Sequence, residues 1–145
     1  MDLIAINRSI PVNTDPLVEV RRIDLKICQS NNYDLVFNRI YKAIIVNLED
    51  QNFTVGSLSK AAFLSRSQLY RNVKKNIGVS PQFLITWLRI KKGAQFLESG
   101  VDNITWISYS VGFKSSSHFS RRFRYQYGIP PSKYKCLHST LKCII

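Results

Sequence analysis

Residues 117–134 read SHFSRRFRYQYGIPPSKY, and residues 67–84 read SQLYRNVKKNIGVSPQFL. The two stretches are one phrase written twice. Leu69, Val73, Ile77, Gly78 and Pro81 match Phe119, Phe123, Tyr127, Gly128 and Pro131 at an offset of 50. Just upstream, Val55, Leu58, Ala62 and Leu64 match Ile104, Ile107, Val111 and Phe113 at an offset of 49. One extra residue therefore falls in the second copy, in the turn around KSSS, where an insertion is best tolerated. The matched positions are apolar or structural, while those between them vary. On the later part of each copy the apolar residues recur every four positions, a helical period, and a Gly stands where each basic helix must stop. Each copy is thus a short helix, a turn and a basic helix, the pattern of a helix-turn-helix whose second helix can enter a major groove.

The same kinds of signal organise the flanks. Val36, Ile40, Ile44 and Leu48, with Ile45 beside them, predict an amphipathic helix over about 34–49. Thr54, Ser65 and Ser80 are helix-starting residues, Ser65 and Gln68 form a capping-box pattern, and Pro81 takes the favoured first helical position. Helices are predicted near 55–62, 66–76, 81–98, 104–111, 116–127 and 131–137, about seven with the first. No segment alternates long enough to build a sheet, so the fold class is all-α. The long helix 81–98 carries Phe83, Leu84, Trp87, Leu88, Ile90, Ala94 and Leu97 on a broad apolar face. It spans about 27 Å, against roughly 34 Å between successive major-groove faces, and as a linker would hold both units on one side of a duplex. Residues 1–33 read as an arm or linker with one short strand near 18–27. The domain is expected over 34–138, with unit 1 at 54–78 and unit 2 at 103–128, followed by a tail at 139–145.

Charge points the same way. Lys and Arg number 21 against 9 acids, for a net charge of +12. Residues 1–33 hold four of each sign, and residues 34–145 hold 17 bases and 5 acids, so the excess lies entirely with the repeat. Between Gln51 and Leu97 there are eight bases and no acid, and beyond Asp102 seven bases and no acid. A solvated helix face normally mixes signs for i,i+4 pairing; omitting acids suits a surface that meets phosphate. A lipid surface or generic RNA binding would explain the charge but not the repeated apolar register. A nonspecific basic nucleic-acid-binding protein is the alternative.

Off the buried seam, the second helix of each unit carries Ser67, Tyr70, Arg71, Lys74 and Lys75, or Ser116, Ser117, Ser120, Arg121, Arg122 and Arg124. Hydroxyl, guanidinium and ammonium groups are the ones that bind base edges and phosphates. Trp87 and Trp106 read as core residues. His118 either touches phosphate or covers its helix start, His138 lies in the tail, and Lys91 and Lys92 read as a solvated face. Cys28, Cys136 and Cys143 have neither disulfide nor zinc spacing and are expected as plain thiols, with no metal or cofactor. Asp34, Glu49, Asp50, Glu98 and Asp102 fall at helix ends or junctions without a nucleophile–base motif, so no enzyme is expected. The chain has no apolar run of membrane-spanning length and no secretory pattern, which predicts a cytoplasmic protein without a membrane partner.

RIKKGAQFL (89–97) followed by ITWISYSVGFKSSSHFSRRFRYQYGIPPSKY (104–134) closely resembles the signature of the AraC/XylS family of bacterial transcription regulators, in its C-terminal double helix-turn-helix domain. The resemblance covers about residues 36–136. It implies a sequence-specific transcription regulator of seven helices, whose third and sixth enter adjacent major-groove segments of double-stranded DNA, with RNA polymerase as a further partner. Carried over, the base-reading positions are Ser67, Tyr70 and Arg71, then Ser116, Ser117 and Arg121. Around them Ser65, Arg66, Lys74, Lys75, Lys114, Arg122 and Arg124 are the expected phosphate contacts. Three residues depart from the family's pattern. Phe63 stands at a turn position that often holds Gly, at a cost of about 1 kcal/mol if its φ is positive. Pro130 replaces a usual Ser cap, and Gly93 inside the long helix costs about 1 kcal/mol relative to Ala, which suits either close packing of the second unit or a slight bend. Thirty-three residues are too few for the ligand-binding or receiver domain that precedes this domain in typical members, so no small-molecule effector domain is expected here. The arm followed by SRSQLYR resembles the output domains of response regulators and hybrid sensor kinases; a stand-alone regulator is the other possibility.

Overall fold

A computed structural model describes residues 34–144, with side chains through residue 139. The expected arm at 1–33, its strand near 18–27, and the side chains of Cys28 and Cys143 lie outside the described residues. Those described form seven helices and no strand: α1 Leu35–Asn47, α2 Val55–Ala61, α3 Arg66–Ile77, α4 Pro81–Glu98, α5 Ile104–Ser110, α6 Ser116–Tyr127 and α7 Pro131–Ile144. Their starts follow from side chains that accept from the first free backbone N–H groups. Thr54 accepts from Ser57 N, Ser65 from Gln68 N, Ser80 from Phe83 N, Asn103 from Trp106 N and Ser115 from His118 N. The capping box of Ser65 and Gln68 is closed on both sides. Gly78 and Gly128 end α3 and α6 in the left-handed conformation, at φ 88° and 78°.

Two cores form, one per unit. The first gathers Phe37, Ile40, Ile44 and Leu48 of the α1 region with Leu58, Leu69, Val73 and Ile77, and the second gathers Ile107, Val111, Phe113, Phe119 and Phe123. Helix α4 belongs to both. Its Leu84, Ile85, Trp87 and Leu88 enter the first core and its Ile90, Ala94 and Leu97 the second. Gly93 is the contact point with the second unit, since a Cβ there would lie 2.7 Å from the Phe119 ring. The buried stripe of α1 differs from the expected one: Phe37 replaces Val36 at its start, and Ile45 is 45% exposed. Trp106, expected in the core, is 50% exposed and meets Phe96 edge-on. Helix α5 has only seven residues and buries Ile107 and Ser108, so Trp106 falls off the seam.

The two turns share one hydrogen-bond plan. Leu64 N donates to Ser59 O and Phe113 N to Ser108 O, at 2.9 and 3.0 Å. At the matching corner Phe63 has φ 57° and Gly112 φ 97°. The Phe63 side chain is 84% exposed, so no packing offsets its strain. Relief of about 1–2 kcal/mol, less about 0.4–1 kcal/mol for the freer unfolded chain, predicts that Phe63→Gly gains roughly 0.5–1 kcal/mol. A urea midpoint equal to or below wild type would show that the turn bears no strain.

Two side-chain ties hold the flanking elements to α4. Arg89, 8% exposed, donates from Nε to Leu48 O at 3.0 Å and from Nη2 to Asp50 O at 2.8 Å. Burial lowers its pKa, and Asp50 partly opposes this. Gln126, buried on α6, donates from Nε2 to the Trp87 carbonyl at 3.3 Å. Helix α7 continues to Ile144, past the expected end near 137 and into the expected tail. Its Pro130 start has no side-chain acceptor, and the Pro130 carbonyl accepts from Tyr134 N at 3.1 Å. His138 lies within this helix rather than in a loose tail, its ring centroid 4.4 Å from that of Tyr134. Tyr134 in turn donates to Glu98.

Candidate nucleic-acid interface

Leu69, Val73 and Ile77 on α3, and Phe119 and Phe123 on α6, fix one face of each helix in a core. The opposite face must then meet solvent or a partner. On α3, Ser67, Tyr70, Arg71 and Lys74 stand at i, i+3, i+4 and i+7, which aligns them on one exposed stripe, with Lys75 beside it. On α6, Ser117, Arg121 and Arg124 form the equivalent exposed stripe. Neither helix contains an acid.

The remaining expected contacts are placed unequally. Lys114 is exposed and is the extra residue of the second turn; Ser116 is half-buried. Ser65 is exposed, but its hydroxyl already accepts from Gln68 N at 3.2 Å. Arg66 folds back toward α2, with Nη2 2.9 Å from where a Cβ on Gly56 would stand. Arg71 Nε donates to Ser67 O at 3.4 Å, a weak bond that leaves most of its donor fork open. Arg122 is half-buried, and its guanidinium lies over the rings of Phe83 and Tyr125, 5.7 and 5.3 Å from their centroids. It is therefore anchored against α4, unlike Arg121.

His118 sits edge-on to Phe113, ring centroids 5.3 Å apart, and its pKa is lowered by burial, then by Arg122 and Arg121. It stands in a furrow of about 220 Å³ between the units, together with Gln82, Thr86 and Lys114. Gln82 and Thr86 were not singled out from the sequence; being polar at the start of an apolar helix, they read as ordinary surface. Lys92 pairs with Glu49 at 2.5 Å, and Lys91 Nζ lies 5.0 Å over Trp87. These lysines thus bind the protein's own α1–α4 face and are half-buried, where a solvated face was expected. No described helix is long and apolar enough to cross a membrane.

A family model described as a helix-turn-helix domain matches residues 58–136. The HTH-type transcriptional regulator MtrA of Neisseria gonorrhoeae is 32% identical over 91 residues, covering 63% of this chain and 30% of that protein. The chain therefore matches less than a third of the regulator's length. The C-terminal domain of AraT, a response regulator from Geobacillus stearothermophilus, is similar at TM-score 0.69 and 25% identity, covering 74% of this chain and 88% of that one. The DNA-binding domain of the global transcriptional factor AdpA, in complex with a target DNA, shares the fold at TM-score 0.66 and 20% identity, covering 72% and 96%. A doubled helix-turn-helix frame with this reach of sequence likeness has one reading: the chain belongs to the AraC/XylS family of DNA-binding transcription regulators.

Proposed function

We propose that this domain reads DNA sequence by placing α3 and α6 in adjacent major-groove segments of one duplex. The observation that carries the reading is the pair of acid-free exposed stripes, one on the second helix of each repeated unit. Ser67, Tyr70 and Arg71 on α3, and Ser116, Ser117 and Arg121 on α6, are the base-reading set. Lys74, Lys75, Lys114 and Arg124 meet the backbone, with Arg66 and Ser65 at the start of α3 and Arg122 anchored beside the second groove. The AdpA domain's complex with a target DNA supports duplex DNA as the partner. Selection of bound sites from a random duplex pool tests this. The expected consensus has two half-sites about one helical turn apart and is preferred over random duplex by at least about 10³ at physiological salt. A single half-site, or no enrichment, would sink the proposal in favour of one working unit or a nonspecific basic coat.

Backbone and base contacts separate by salt. Lys74→Ala should flatten the dependence of log affinity on log salt by about one unit while keeping the selected consensus. A changed consensus would make Lys74 a base contact.

The likeness to a response regulator's C-terminal domain favours reading this chain as an output module of a larger regulator. An immunoblot of native cells should then show a protein well above 16.7 kDa, and a band at that mass would make it stand-alone. RNA polymerase is the proposed downstream partner, tested by its capture on promoter DNA that carries the bound regulator.

A further inference from the structure

We infer that Arg89 and Gly112 pin the two recognition units at one separation, which makes Arg89 a positioning residue for half-site spacing. The inference rests on the two-groove reading above. Three elements meet at one point. The C-cap carbonyl of α1, Leu48 O, has no intrahelical partner, and it and the Asp50 carbonyl in the following turn accept from the buried guanidinium of Arg89 on α4. The turn of the second unit closes on the same spot. A Cβ on Gly112 would stand 2.5 Å from Leu48 O and 2.8 Å from Arg89 Nε.

The turn's backbone, at φ 97°, favours glycine, but positive φ alone does not account for this one. Phe63 occupies the matching corner of the first unit, with positive φ and an outward side chain. Gly112 is needed for the close approach, and the approach joins unit 2 directly to the end of α1 rather than only through α4. Rotation of either unit about α4 would break the Arg89 bonds or open the Gly112 contact.

A rigid link makes the second half-site encounter effectively concentrated at one spacing and weak at others; a loose link spreads it. One inserted base pair moves the second half-site by about 3.4 Å and turns it by roughly 34°. The test measures the affinity of the whole chain for duplexes carrying both half-sites with the spacer unchanged, one pair longer or one pair shorter. Wild type is expected to lose about tenfold or more off the preferred spacing. Arg89→Lys, which keeps the charge but loses the donor fork, and Gly112→Ala are each expected to reduce that loss to about threefold or less, with the preference within each half-site unchanged. Gly100→Ala strains a left-handed backbone at φ 98° with nothing within 4 Å, so it should keep the wild-type spacing profile. Circular dichroism establishes that each variant is folded, and Gly112→Ala tests the pin without touching Arg89 should Arg89→Lys not fold.

Wild-type spacing profiles in both variants would overturn the pin, as would a wild type indifferent to spacing, or a Gly100→Ala profile flattened like the others. If wild type shows no half-site preference at all, the two-groove reading fails and the pin with it. That outcome is distinguished by the loss of base preference on single half-sites.

Discussion

Phe119→Ala is expected to lower unfolding free energy by about 3–5 kcal/mol, the usual range for a fully buried aromatic. The Phe119 side chain has no exposed surface, and its ring centroid lies 5.4 Å from that of Phe113 and 5.7 Å from that of Phe123. It also lies directly on Gly93, so the cavity would open beneath α4 where that helix has no side chain to relax into it. Urea unfolding followed by circular dichroism measures the loss. A companion experiment tests the contact itself. Gly93→Ala should be strongly destabilising alone, because its methyl meets the Phe119 ring at 2.7 Å, and much less so in the Phe119→Ala background. Additive effects of the two changes would show that they do not share a space.

The second large effect is on recognition. Arg71→Ala and Arg121→Ala are each expected to weaken specific binding by about 1–3 kcal/mol and to relax preference at separate base pairs, roughly one helical turn apart. Both side chains are exposed at matching positions of α3 and α6. Quantitative binding to the selected site and its single-base variants decides the matter. If either change weakens binding equally on every sequence, that arginine is a phosphate contact. Arg122→Ala offers a contrast, since its guanidinium lies over Phe83 and Tyr125 and its loss would also remove packing.

The frame was legible in the sequence because burial on a short helix leaves a simple trace. The four-residue spacing of Leu69, Val73 and Ile77, repeated by Phe119, Phe123 and Tyr127, is what a helix seam must look like. The capping residues were equally plain, since Ser65 and Gln68 can satisfy each other only across one helical turn. The family resemblance marked Phe63 as a turn position that often holds Gly, with a cost if its φ were positive, and the structure shows that positive φ.

What stayed hidden has common physical causes. Arg89 sits in the basic run RIKK, where a surface role is the ordinary expectation. Only the three-dimensional position of the α1 end, 41 residues away, explains its burial. Gln126 was missed for the same reason, its partner being a backbone carbonyl on another helix. Trp106 was misread because hydrophobic identity does not fix direction on a seven-residue helix. The length of α7 was underestimated, since neither glycine nor proline marks its end. In the candidate interface, sequence spacing separated Ser67, Tyr70, Arg71, Lys74, Lys75, Ser117, Arg121 and Arg124 from the seam, but Ser116, Ser120 and Arg122 are half-buried. It could not show that Arg122 is anchored by two rings while Arg121 projects freely.

Helix α4 has a consequence for how the domain melts. Its first half is buried in one core and its second half in the other, so opening either unit strips cover from half of a helix the other unit still needs. Two repeats that look like separable modules are in this respect one cooperative element. Amide exchange along residues 84–97 should report a single opening free energy from end to end rather than a step at Gly93.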